Sequence, residues 1–363
     1  MKKKTADITP EDIRKQFHKI YYSDIAPQMI EYEKRRKKEI FKLVLIELVL
    51  IFAATGLIYY YMQTGVFWML ILFILSILSI ILAPIIRNIS FTQMLKSQCM
   101  RKIVHAMGNI KWESGGNIIS TNKLQKSNLF MTFNNRSSDD TFEGFYKGVN
   151  YSIEEAYLWF KSGSGRNSVY YDVFKGVIIN FIANKDIENT TIVATKGDKD
   201  IKNRNPLFWI IGIAVILQIY IETGIFPGTL ALILAIIAIV IMSICRLNSK
   251  DEHVLNKIIL EDPVFNKKYT AYSGDEVNGR YLLTTAFMER FNNVKTAFGV
   301  EKIKCSFYDK YLMIAISTKK NLFEIGNLYT PLNSPKQLET FFNEFISILK
   351  LIDYFKLDEK TGL

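Results

Sequence analysis

Tyr61-Met-Gln-Thr-Gly-Val-Phe67 and Tyr220-Ile-Glu-Thr-Gly-Ile-Phe226 are two copies of one heptapeptide, each at the tip between two long apolar runs. The copies keep register from Gly65 and Gly224 to Arg87 and Arg246, where each second run ends. The runs are Leu43 to Met62, Val66 to Ile86, Leu207 to Ile221 and Ile225 to Cys245. Each comes near the ~20 apolar residues that carry a helix across ~30 Å of hydrocarbon. The expected fold is therefore α+β: two transmembrane helical hairpins, four helices in all, plus a mixed α+β cytoplasmic domain interrupted by the second hairpin.

Charge orients this arrangement. The net charge is +11, and the basic residues cluster beside the runs: Lys34-Arg-Arg-Lys-Lys38 and Lys42 before the first, Arg87, Lys96, Arg101 and Lys102 after the second. Lys196, Lys199, Lys202 and Arg204 precede the third, and Arg246 and Lys250 follow the fourth, whereas Glu222 is the sole charge at the tips. That asymmetry is the positive-inside signature. It predicts a multi-pass protein of the cytoplasmic membrane with both termini in the cytoplasm, and it removes the need for nucleic acid to explain the charge. No cleavable apolar leader precedes Leu43, so the first span serves as the insertion signal. The expected divisions are 1–42 (an N-terminal cytoplasmic amphipathic helix and basic juxtamembrane segment), 43–86 (first hairpin), 87–206 (first cytoplasmic part), 207–245 (second hairpin) and 246–363 (second cytoplasmic part).

Local signals fill in these parts. Thr9-Pro-Glu-Asp12 opens a helix whose Ile13, Phe17, Ile20 and Tyr21 share one apolar face. That face can pack on the cytoplasmic domain or lie on the bilayer. Lys34, Arg35, Arg36, Lys37 and Lys38 are the candidates for contacting anionic headgroups, at roughly 1 kcal/mol each. Ser76, Ser79 and Ala83, matched by Ala235 and Ala238, form a small-residue stripe suited to close helix packing within the chain or between copies of it. Strands are expected at Phe142 to Val149, Val149 to Ile153, Val173 to Phe181, Lys257 to Leu260, Lys268 to Tyr272, Lys302 to Phe307 and Leu312 to Ser317. Helices are expected over Asn278 to Phe298 and from Pro335 onward.

Motifs for chemistry are lacking. His18, His105 and His253 stand far apart, and Cys99, Cys245 and Cys305 have no metal-ligand spacing. Ser162-Gly-Ser-Gly-Arg166 lacks the ending of a phosphate loop and reads as a hairpin turn. Asp139-Asp140 and Glu154-Glu155 are neighbours that point apart on a strand, and are expected in solvent. No catalytic residue, cofactor or metal is expected. Glu47 and Gln218 are polar groups inside the runs, and a transporter component is the alternative they would serve. The leading expectation is a non-enzymatic membrane-anchored binding or scaffolding domain with a protein or lipid partner at the inner face.

Leu260-Glu-Asp-Pro-Val-Phe265, Tyr272-Ser-Gly-Asp-Glu276, Arg280-Tyr-Leu-Leu-Thr284, Phe287-Met-Glu-Arg290 and Cys305-Ser-Phe307 together resemble the pattern of domain-of-unknown-function family 3137, a bacterial membrane-protein family. Ser127-Asn-Leu-Phe130, Phe142-Glu-Gly144, Ile153-Glu-Glu155 and Val173-Phe-Lys-Gly176 follow in the family's order. Gly279 and Thr285 depart from it. The resemblance implies an integral membrane protein with no reaction to transfer, and implies that residues 91–200 and 250–363 share one domain. Asp275 and Arg280 are read either as a helix cap and salt bridge or as ligand contacts.

Overall fold

The computed structural model describes residues 10–108, 110–163, 168–198, 255–298, 300 and 302–355. Helix α1 (Pro10–Ile20) runs through one π turn, Tyr21–Ile25, into α2 (Ala26–Thr64). Gly65 takes a left-handed conformation, φ 67°, and its amide closes α2 on the Tyr61 carbonyl at 2.8 Å. Glycine reaches that conformation without a Cβ clash, which is why the tip carries one. Helix α3 (Phe67–Ala106) then returns.

These two helices hold 39 and 40 residues, so each is about 60 Å long, roughly twice a bilayer core. Their apolar stretches are exposed on all sides, with Phe52 and Trp68 at 81% and 71%, and only 11% and 0% of the two apolar windows is buried. A helix apolar all round, packed in this stretch on the other helix of the pair, suits lipid on its remaining faces. By length and composition, both can cross a membrane. The surplus length belongs to the folded domain: Leu95, Cys99, Met100 and Ile103 of α3 are core residues.

The remaining elements are β1 (Lys111–Ser114), α4 (Thr121–Lys126), β2 (Asn135–Tyr146), β3 (Val149–Ser162), β4 (Val169–Thr195), β5 (Asn256–Ile258), α5 (Pro263–Lys268), β6 (Tyr269–Ser273), α6 (Glu276–Leu282), α7 (Thr285–Phe298), β7 (Lys302–Ser317) and α8 (Lys336–Tyr354). All strand pairs are antiparallel, in one seven-stranded sheet ordered β1-β2-β3-β4-β6-β5, with β7 on β4. The 27-residue β4 is its spine. β7 pairs with β4 from Gly176 to Ala194, and on the other edge β3 pairs with β4 as far as Phe181 and β6 pairs with it from Thr191 to Thr195, one after the other.

Both faces of the sheet are covered at the middle of β4, which is why it reads Val177-Ile-Ile-Asn-Phe-Ile-Ala183 there, with Asn180 its single polar residue. Val177, Ile179 and Phe181 face the larger core, where Phe142 meets Phe323 and Phe345 with ring centres at 4.9 and 5.5 Å. Ile178 faces a smaller core under Leu124, Leu129 and Phe130. There Lys304, opposite Ala194, lies 5.6 Å from the Phe174 ring, although Phe174 is near the far end of the same ladder. The sheet must curl over this second core to bring them together. α1 buries Ile13 and Phe17 against α8, with Phe17 stacked on Phe342 at 4.6 Å, so its apolar face is taken by the domain.

This architecture corrects the expectation of four transmembrane helices in two hairpins with a domain interrupted by the second. Among the described residues there are two candidate spans, followed by one antiparallel sheet domain. The run Leu207 to Cys245 lies outside the described residues. The physical reason is that a hydropathy window counts apolar residues but is blind to pairing. It divides the polar parts at residues 206 and 246, whereas the backbone hydrogen bonds of β4 to β6 and β7 join them into one sheet.

Candidate functional site

Where α2 and α3 leave their apolar stretches, they grip a strap, residues 318–335, that links β7 to α8. Glu33 and Arg36 form a buried two-pronged ion pair with both contacts at 2.8 Å. The Arg36 guanidinium donates onward to the Leu328 carbonyl at 2.9 Å, and Glu33 accepts the Leu332 amide at 2.8 Å. From α3, Asn88 accepts the Leu328 amide at 3.0 Å, and the Pro84 carbonyl accepts the Tyr329 hydroxyl at 3.2 Å. The hydrogen bond from Arg36 holds the Glu33 carboxyl down at about 2. Glu39 joins the two helices directly, taking Arg87 at 2.8 Å and Lys42 at 2.9 Å.

Beside this clamp is a groove of about 590 Å³, floored by Asn88, Thr92, Gln93 and Lys96 of α3 and walled by Trp112, Asp139, Asn321 and Glu324. At its base, the buried Lys96 ammonium lies 2.7 Å from Asp140, 3.3 Å from Asp139 and 2.9 Å from Glu324. Burial alone would lower the Lys96 pKa, but Asp140 and Glu324 outweigh it and raise it. Burial pushes Asp140 up to about 6, even with Lys96 and the Trp112 indole, at 2.9 Å, as donors. Glu155 reaches the cluster from β3. One of its oxygens accepts the Leu322 amide at 3.2 Å, the other is buried without a hydrogen-bond partner, and burial pushes its pKa up to about 8.

A β-bulge assembles these groups. Ser138 opposes Ala156 and Thr141 opposes Glu154, so Asp139 and Asp140 together face Glu155. Two residues against one break the alternation of a regular strand and turn side chains toward one side. This corrects the expectation that both acidic pairs are solvated. Asp140 and Glu154 are fully buried and Glu155 nearly so, while Asp139 stays open to the groove. Glu154 points to the opposite face, where Arg136, Ser138 and the Ile119 amide satisfy it. A bulge has no simple sequence signature, but four carboxylates in two segments spaced for a hairpin was a signal available to find this cluster.

A pH effect follows. A carboxyl that keeps its proton to a higher pH when folded stabilises the fold at low pH, and loses that contribution as pH rises from its unfolded value. With chelator present, wild-type stability is expected to fall between about pH 4.5 and 8 from this group. Glu155→Gln, which cannot ionise, is expected to flatten that fall; denaturant unfolding at stepped pH reads the difference.

The residues singled out in the sequence divide. Lys34, Arg35, Lys37 and Lys38 are exposed, whereas Arg36 is buried and committed to Glu33 and Leu328. Asp275 caps α6 by accepting the amides of Val277 and Asn278 at 2.7 and 3.1 Å. Arg280 pairs with Glu276 at 2.8 Å, so it makes a salt bridge one turn along rather than one to the cap. Asp275→Ala is expected to cost about 1 kcal/mol in chemical unfolding, and Arg280→Ala under about 0.5 kcal/mol because its pair is exposed. Glu47 is half-buried on α2, and Gln218 lies outside the described residues.

No curated protein matches the sequence. Among solved structures, the mycobacterial trehalose monomycolate transport factor A, TtfA, is similar at 7% identity and a TM-score of 0.34, over 74% of this chain and 96% of that one. That likeness is too slight to carry either fold or role. Residues 172–357, just over half the chain, match the family described as "Protein of unknown function (DUF3137)", and the chain belongs to that family.

Proposed function

We propose that this chain is a non-enzymatic, membrane-anchored binding or scaffolding protein. Its sheet domain sits on the cytoplasmic face of the inner membrane and receives a protein or lipid partner in the groove above Lys96. One observation carries this reading: the groove begins at Asn88, directly after the apolar stretch of α3, and its floor and strap are clamped to both long helices. A site built there meets the headgroup layer or the emerging segment of another membrane protein. Its carboxamides, carboxylates and single ammonium offer hydrogen bonds rather than apolar contact, so the occupant is polar. Lys34, Arg35, Lys37 and Lys38 add attraction to anionic lipid at roughly 1 kcal/mol each.

The test places a photo-crosslinking residue at Gln93 in the full-length protein in native membranes. A discrete adduct, lost when Asn327→Trp fills the groove, is the supporting result. Labelling no stronger than from an exposed control position such as Lys310 would overturn it. Orientation has its own measurement: a cysteine at Thr64 should react with an impermeant reagent added outside the cell, and one at Asn150 should not.

A further inference from the structure

We infer that the bulge at Asp139, Asp140 and Glu155 is a divalent-cation site, with calcium the best-fitting ion. Each of the three residues offers a carboxylate oxygen, and these oxygens all lie within 4.8 Å of one another. Calcium binds oxygen at about 2.3–2.6 Å, so two ligands on opposite sides of it stand roughly 4.6–5.2 Å apart, against about 4.0–4.2 Å for magnesium. Oxygens within that bound can share one calcium ion, and calcium accepts the irregular geometry of a strand bulge where magnesium demands a near-ideal octahedron.

The second, independent observation is Glu155 itself. At 8% exposure, it has one oxygen fixed by the Leu322 amide and the other buried with no partner, in a carboxyl that comes within 4.8 Å of those of Asp139 and Asp140. A buried acceptor left unsatisfied costs about 1–3 kcal/mol, more if charged, so structures rarely keep one without a use. Charge points the same way. Asp139, Asp140 and Glu324 crowd one ammonium, and Glu155 adds a fourth carboxyl, leaving an excess of negative charge that a divalent ion would offset. The donors are all hard oxygens, the set that selects calcium, magnesium or manganese over zinc or copper. Asp139, with its side chain 45% exposed, opens the cluster to the groove and supplies an entry path.

The site stands apart from the partner reading, because ion binding needs no partner and either can fail alone. Full-length protein in detergent, stripped of metal at neutral pH, is titrated with calcium chloride and followed by thermal unfolding. In parallel, terbium emission is excited through Trp112, whose indole touches Asp140. The expected results are a saturable rise in Tm with calcium and terbium emission that saturates and is displaced by calcium. Trp112→Phe, which removes the antenna, should dim the terbium emission. Glu155→Gln, close to isosteric, should weaken calcium binding about 10-fold or more. Its own unfolding curve in chelator shows whether it folds. If wild type shows no calcium-dependent shift and terbium emission never saturates, there is no site. Unchanged calcium affinity in both Glu155→Gln and Asp140→Asn would place the ion elsewhere. Tighter binding of magnesium than calcium would overturn the choice of ion.

Discussion

Arg36→Ala is expected to destabilise the strap by about 3–5 kcal/mol, the usual cost of stripping one partner from a buried ion pair. Glu33 would stay behind with its side chain at 9% exposure, and the Leu328 carbonyl would lose its donor. The effect should be read locally, by hydrogen exchange at the Leu328 and Leu332 amides in detergent. Lys37→Ala provides the contrast: its ammonium is 4.0 Å from Glu33 but 72% exposed, so a change below about 0.5 kcal/mol is expected. The acid response should also reverse. In wild type the Glu33 pKa is depressed to about 2, so its contribution is complete above its ordinary 4.5 and lost as pH falls toward 2. In Arg36→Ala the buried carboxyl is easier to keep when protonated, and mild acid should restore strap protection rather than remove it.

Gly176→Ala is the second large effect. Gly176 has φ +151°, and a Cβ built there would lie 2.1 Å from the Ile316 carbonyl oxygen and 2.9 Å from the Thr318 amide, at the end of the neighbouring strand. These are backbone atoms at the end of the β4–β7 ladder, where no rotamer change can make room. Backbone strain of about 1–3 kcal/mol and overpacking of about 1–3 kcal/mol combine, so a loss of several kcal/mol is expected in unfolding of the domain. Lys175→Ala, one residue earlier and exposed, should leave stability nearly unchanged. Equal unfolding midpoints for the two variants would show that β7 does not approach β4 this closely.

What the sequence disclosed follows the range of the forces involved. The first hairpin, the glycine that turns it, the Asp275 cap and the last helix are local, set by apolar spacing and capping chemistry within a few residues, and all are present. The expected helix over Asn278 to Phe298 exists as two helices, α6 and α7, broken at Leu283–Thr284. Errors grew with separation. Arg36 sits in a run of five basic residues, and nothing nearby marks it as the one that turns inward; its partner carbonyl is 292 residues away. Hydropathy divides the polar parts at residues 206 and 246, and the pairing of β4 with β7 that joins them is invisible to such a window. The carboxylate cluster escapes a reading by strand alternation because one extra residue bulges β2 between Ser138 and Thr141.

The clamp also sets an order of events during synthesis. Glu33, Arg36 and Asn88 are made early, before any strand of the sheet, the first of which begins at Lys111. Their strap partners, Leu328 and Leu332, arrive 292 and 299 residues after Arg36 and Glu33 respectively. Such distant closure is slow compared with helix formation. A nascent or truncated chain ending before Leu328 would therefore hold both long helices with its Glu33–Arg36 pair and groove unsealed.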